Sequence, residues 1–222
     1  MKLKELSLLT CLSIFTVILA GCEVYGVQGN GKFAKETRDL SSYSKVSVGG
    51  AYEVNINIAS DNKNEITISG DENIVPLVKT TVRDKTLFIT TTKRYSNDLP
   101  LKLEISAVSL NKLICSGAND VAVIGIDNTA FDLDLSGAGS VNLKGKTDQL
   151  TVSCSGAGSI EAKQLVAENV TVKLSGACSA VVYAEKKITA SVSGVGSITY
   201  YGNPTIVNPS VSGIGSIEQA GK

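Results

Sequence analysis

Histidine, the side chain best suited to proton transfer near neutral pH, is absent from the 222-residue chain. Its absence excludes Ser-His-Asp and Cys-His catalysis and every His-ligated metal site. The chemistry left to consider rests on carboxylates, thiols, lysines and tyrosines. Asp132 and Asp134 stand two residues apart, which on a strand puts both on one face. Such a pair could serve a glycoside hydrolase or hold calcium. Both need further acidic or basic groups, and the sequence does not repeat them. The same offsets further along carry Thr151/Ser153, Thr171/Lys173 and Thr189/Ser191, and only three arginines occur in the chain, Arg38, Arg83 and Arg94. The pair reads as a solvated face. No catalytic residue, metal site or cofactor is assigned.

The cysteines divide by position. Residues 1–22 read MKLKELSLLTCLSIFTVILAGC: Lys2 and Lys4, an apolar run from Leu6 to Ala20, then Leu19-Ala20-Gly21-Cys22. The run is short for a membrane span of about 20 residues and suits an export signal. Its end resembles a bacterial lipobox, which implies that Cys22 is the lipid acceptor and residues 1–21 the signal peptide. Glu23 follows, without the Asp that marks inner-membrane retention, so an outer-membrane lipoprotein is expected. Cys11 leaves with the signal. Cys115 and Cys154 share an inward offset two repeats apart, about 9.6 Å at ~4.8 Å per coil, beyond disulfide reach. Together with Cys178 they are read as buried free thiols acting as small hydrophobes.

A five-residue motif positions everything downstream. It begins at Ser116, Ser136, Ser155, Ser175, Ser193 and Ser212, at intervals of 20, 19, 20, 18 and 19 residues. Typical forms are Ser136-Gly-Ala-Gly-Ser140 and Ser155-Gly-Ala-Gly-Ser159. Apolar residues flank each motif at alternate positions: Leu133 and Leu135 before, Val141 after; Val152 and Cys154 before, Ile160 after. The alternation makes each motif a turn between two half-buried strands, and the constant period makes the whole a solenoid. A period near 19 is too short for helical-pair repeats. The fold expected is all-β, a right-handed parallel β-helix or β-solenoid with coils of about 19 residues. Glycine at the second and often the fourth position would supply positive φ at the corner, and serines at the first and fifth would stack as hydroxyl ladders. Val46 to Val54 and Ile66 to Ile74 fit the same frame more loosely.

The strand after each corner offers the best binding surface. Its outward fourth residues include Lys144, Lys163, Tyr183 and Tyr201. Stacked coils would set these four in one row at ~4.8 Å spacing, apolar area with hydrogen-bonding tips. A glycan or a protein strand could dock there.

The ordered set RDLSSYSKVSVGGAYEVNI, ITISGDENIVPLVKTTVRDKTLFIT, LNKLICSGANDV and the SGAGS repeats resembles the head GIN domain family of auto-transporter adhesin heads, over about residues 30–220. The resemblance implies a β-helical fold and a cell-envelope location, and it carries over no catalytic residues.

Lysine plus arginine and aspartate plus glutamate are equal at 21 each. Removing Lys2, Lys4 and Glu5 leaves 19 against 20, which argues against nucleic acid as a partner. The organisation expected is therefore signal peptide 1–21, lipidated Cys22 with a tether to residue 40, an irregular solenoid half over 41–108 and a regular half over 109–220. The function expected is a membrane-anchored, non-enzymatic adhesin-like binding head. An envelope enzyme acting on polysaccharide, or a scaffold that self-associates through its solenoid ends, are the alternatives.

Overall fold

The computed structural model describes residues 26–58 and 63–221; the expected signal peptide and Cys22 lie outside the described residues. Fifteen strands follow in chain order among those described. The first eight are β1 (Val27–Gln28), β2 (Phe33–Asp39), β3 (Lys45–Ile58), β4 (Glu65–Asp71), β5 (Val78–Arg83), β6 (Thr86–Thr91), β7 (Tyr95–Ser96) and β8 (Lys102–Ala107). The long ones come next: β9 (Lys112–Leu135), β10 (Ala138–Cys154), β11 (Ala157–Leu174) and β12 (Ala177–Val192). The chain ends with β13 (Val195–Tyr201), β14 (Ile206–Val211) and β15 (Ile214–Gln219).

From β3 onward the stack is parallel, in a β-solenoid of about five turns. Each coil hydrogen-bonds to the next at a constant register, so equivalent residues of each repeat form columns. One column runs Val48, Cys115, Leu135, Cys154, Leu174, Val192, all facing inward and all buried or nearly so. The period-2 alternation of each strand thus becomes a continuous apolar core along the axis. Gly49-Gly50-Ala51 lies opposite Ser116-Gly117-Ala118, as the shared frame predicts.

The second looser match is a different structure. β4, which carries Ile66, Ile68 and Gly70, runs antiparallel to β8 on one side and to β2 on the other. Alternation alone cannot tell strand direction, because parallel and antiparallel strands bury every second residue alike. Residues 63–111 thus leave the solenoid. They contribute β6 and β8 as parallel neighbours on the outer edge of β3, and then close the sheet with reversed strands.

The tether also needs correction, because residues 26–39 are folded onto the body. β1 pairs with β7, and β2 pairs with β4 over seven residues. The glycines that suggest a flexible tether serve a carboxylate instead. Asp71 is fully buried and accepts backbone N–H bonds from Gly31 at 2.7 Å, Asp98 at 2.9 Å and Leu99 at 3.0 Å. These bonds, led by Leu99, hold its carboxyl below the usual carboxylate range. A Cβ at Gly29 would sit 2.6 Å from the Asp71 carboxylate, so only glycine lets the chain approach this closely. Arg38 of β2 reaches the Val78 carbonyl at 2.7 Å and pairs with Glu36 at 2.8 Å, fastening β2 to its neighbours.

Candidate functional site

The corners set the frame. In five of the six motifs the second-position glycine is needed for space rather than for φ. A Cβ on Gly137 would overlap the carbonyl oxygen of Gly117, one on Gly156 that of Gly137, and one on Gly176 that of Gly156. Among the motif glycines only Gly117 (φ 82°) and Gly139 (φ 126°) have positive φ. The serines do not form hydroxyl-to-hydroxyl ladders. Ser136, Ser175 and Ser193 each donate to the carbonyl just before the previous corner, at 3.4 Å.

Beyond each corner the strand alternates as the sequence indicates. Leu143, Ala162, Val182 and Tyr200 are buried, while Lys144, Lys163, Tyr183 and Tyr201 point outward between them. The four do not form an even row. β11 carries extra residues here, so the register slips between Ala162 and Val166. Lys144 consequently lies opposite Gln164, and Tyr183 opposite Val166. Lys163 sits within this irregularity, where its N–H donates to the Glu161 carboxylate at 3.2 Å. From there its ammonium reaches across the β12 coil to lie 3.9 Å from the centroid of the Tyr201 ring. Tyr201 is in direct register with Tyr183.

The structure therefore brings together Lys163, Tyr183 and Tyr201, with the exposed Val166 beside them, and leaves Lys144 one step aside. Val166 is not legible as part of the site, because the bulge that turns it outward leaves no mark in a period that varies by two residues anyway. Gly202 completes the patch. It has φ 91°, and the Tyr183 ring lies 3.4 Å from where its Cβ would be. Neither Lys144 nor Lys163 forms a salt bridge among the described residues. The patch thus offers uncompensated ammonium charge next to aromatic surface, a combination that binds carboxylate-bearing or hydroxyl-rich ligands.

Asp132 and Asp134 part company. Asp134 is bound by Lys112 at 2.7 Å, and that hydrogen bond raises the lysine's pKa. Asp132 lines a cleft of about 900 Å³ with Lys45, Asn111, Lys112, Asp127 and Asn128. Asn128 is already engaged, giving a hydrogen bond to the Leu110 carbonyl and taking one from Thr147. Among the described residues no group of three or more His, Cys, Asp or Glu is arranged to hold a metal ion.

The reading of three free thiols is overturned. Cys154 and Cys178 form a disulfide with a Cα–Cα distance of 6.5 Å. They do not share an offset. Cys154 stands just before one corner motif and Cys178 is the fourth residue of the next, so the bond runs diagonally from one coil to its neighbour. Comparing equal offsets alone misses this pair. Cys115 remains free, and burial pushes its thiol up to about 12.

The chain belongs to the family described as "Putative auto-transporter adhesin, head GIN domain", which matches residues 42–204. Among curated proteins none matches. The crystal structure of a putative adhesin from Bacteroides fragilis is similar at a TM-score of 0.74 and 27% identity, covering 88% of this chain and all of that one. A putative adhesin from Parabacteroides distasonis shares the fold at a TM-score of 0.51 and 21% identity, over 87% of this chain and 99% of that one. A protein described as a putative lipid binding protein from the same organism does so at 0.50 and 21%, with the same coverage. Membership of this family makes this an adhesin-like protein of the cell envelope or surface, and the neighbours at 21% identity share its fold.

Proposed function

We propose that this protein is an outer-membrane lipoprotein, anchored through Cys22, whose solenoid presents a non-enzymatic binding face for glycan. The observation that carries the binding role is the Lys163 ammonium held 3.9 Å from the Tyr201 ring, with Tyr183 on the adjoining strand. The ring fixes the charge at an exposed surface without neutralising it. A sugar carboxylate can meet that ammonium while its apolar face lies over Tyr183 and Val166. Glycans with carboxylate groups fit this better than neutral ones, because no tryptophan is present to supply a larger stacking plane.

Two experiments test the reading. A glycan array with the full chain in detergent identifies ligands, and Tyr183→Ala with Tyr201→Ala should then weaken binding about tenfold, or 1.4 kcal/mol. Binding equal to that of the parent chain would make this face structural. Separately, Cys22→Ala should abolish lipid labelling and release the protein from the membrane fraction. Labelling that persists would overturn the anchor.

A further inference from the structure

We infer that the outer edge of β15 pairs antiparallel with β15 of a second copy of this chain, with Ile217 on the two-fold axis. The last coil stacks on β12 and β13 and has no strand on its far side among the described residues. Its side chains continue the core columns past the point where anything covers them. Val207 and Val211 lie opposite the buried Ile188 and Val192, yet are 41% and 47% exposed, whereas Ile214, 75% exposed, belongs to a corner column that is exposed in every coil.

The two strands of that coil differ as partners. The N–H groups of Ile214 and Ala220 bond back to Gly194, just before β13, and to Tyr200 of β13, and that of Ser212 to Val192 of β12. By alternation the ring nitrogen of Pro209 faces the free edge of β14, which therefore lacks a donor at its centre. On β15 the outward-facing N–H and C=O groups belong to Gly215, Ile217 and Gln219, an intact set with no proline. Its midpoint is Ile217. A two-fold axis there makes Ile217 a hydrogen-bonded pair with its own copy, and sets Gly215 against Gln219 in both directions. Because the axis keeps inner faces inner, the two Ile217 side chains join one core to the other.

Charge favours a second copy as the occupant. Residues 203–217 contain no charged side chain, so the two ends meet without repulsion. Glu218, the one charge on β15, falls opposite Ser216 of the partner subunit rather than opposite itself. The edge thus carries none of the lysines that commonly prevent such pairing.

The test uses the full chain in its membrane. In this register the two Ile217 Cα atoms stand about 5.5 Å apart, within disulfide reach, whereas two Ile214 residues are separated by about 20 Å. Ile217→Cys should give a reducible dimer under mild oxidation. Ile214→Cys, at the more exposed position, should remain monomeric, as should the parent chain. Equal crosslinking at both positions, or none at Ile217, overturns the pairing. A foreign strand on the same edge would give the latter result. A pair of charge variants reads the register even if the cysteine variant folds poorly. Ser216→Glu sets a carboxylate against the partner subunit's Glu218 and should weaken dimerisation about fivefold in sedimentation, while Ser216→Lys should strengthen it by a similar factor. Shifts of the same sign in both variants overturn the register.

Discussion

The two ends of the solenoid solve the same problem differently. At the amino-terminal end, β6 and β8 cover the exposed edge of β3, β4 then runs in the reverse direction, and β2, antiparallel to β4, lies outermost. Ile66, Ile68, Leu87 and Ile105 are buried there as completely as any residue of the central coils. At the carboxy-terminal end the coil pattern simply repeats until β15, and its core residues are left uncovered on the far side. A parallel stack always offers its next strand a template, because each coil presents the same edge as the last. Ending it takes strands of the opposite sense, and residues 63–111 supply them at one end only.

The largest expected effect lies in the middle of the stack. Gly156→Val puts two extra branches against a backbone carbonyl with intact coils above and below, and should cost at least about 4 kcal/mol in thermal or denaturant unfolding. Gly213→Val makes the same overlap with Gly194 in the last coil, where the strand has room to lift away, and should cost less than half as much. Equal costs would show that the open end is as tightly held as the centre.

Reduction of Cys154–Cys178 comes next. The bond spans 24 residues, and its loss should lower stability by about 3 kcal/mol on chain-entropy grounds. A Cys154→Ser/Cys178→Ser double variant that melts with the parent protein would count against the bond.

Asp71→Asn probes the closed end. It keeps the shape but removes the charge that three N–H groups address, so hydrogen exchange in residues 26–31 should accelerate about tenfold while the far coils keep their protection. Acid should act in the same way. The folded carboxyl titrates below the ordinary carboxylate range, so its contribution is complete above about pH 4 and fades as pH falls toward the folded value. Protection of residues 26–31 that is unchanged down to pH 2 would exclude Asp71 as the fastening.

The smallest effect belongs to the open end. Val211→Ala should change stability by about 0.5 kcal/mol, whereas Val192→Ala, one coil below in the same column, should cost about 2 kcal/mol.

The regular coils were legible because repetition multiplies a weak signal. One Ser-Gly-Ala-Gly-Ser is a turn among many, but six at a fixed interval with matching apolar flanks admit only a stacked structure. The closing strands had no such help. Phe33–Asp39 is polar enough to pass for a linker, since an outermost strand buries only one shallow face. Ile66–Asp71 looks like another coil because strand direction leaves no trace in alternation. In the Lys163–Tyr183–Tyr201 face, position and exposure followed from the period. The meeting of Lys163 with Tyr201 did not, since it depends on how a bulge in β11 lets one long side chain lean across a neighbouring coil.

The diagonal cystine sets how this body carries load. Under the proposed function, a ligand on Tyr183 and Tyr201 would pull on β12 and β13 against the proposed anchor at Cys22. Such tension would peel the loaded strands rung by rung, as a tape lifts from a surface. Cys154 and Cys178 enclose the whole of β11 in a covalent loop. Peeling can therefore run from Tyr201 back through β13 and β12 to Cys178, and then meets a bond that hydrogen-bond rupture cannot pass. The load then crosses from Cys178 to Cys154 through the sulfur bridge, so the residues between them, all of β11 included, stay shielded from the pull.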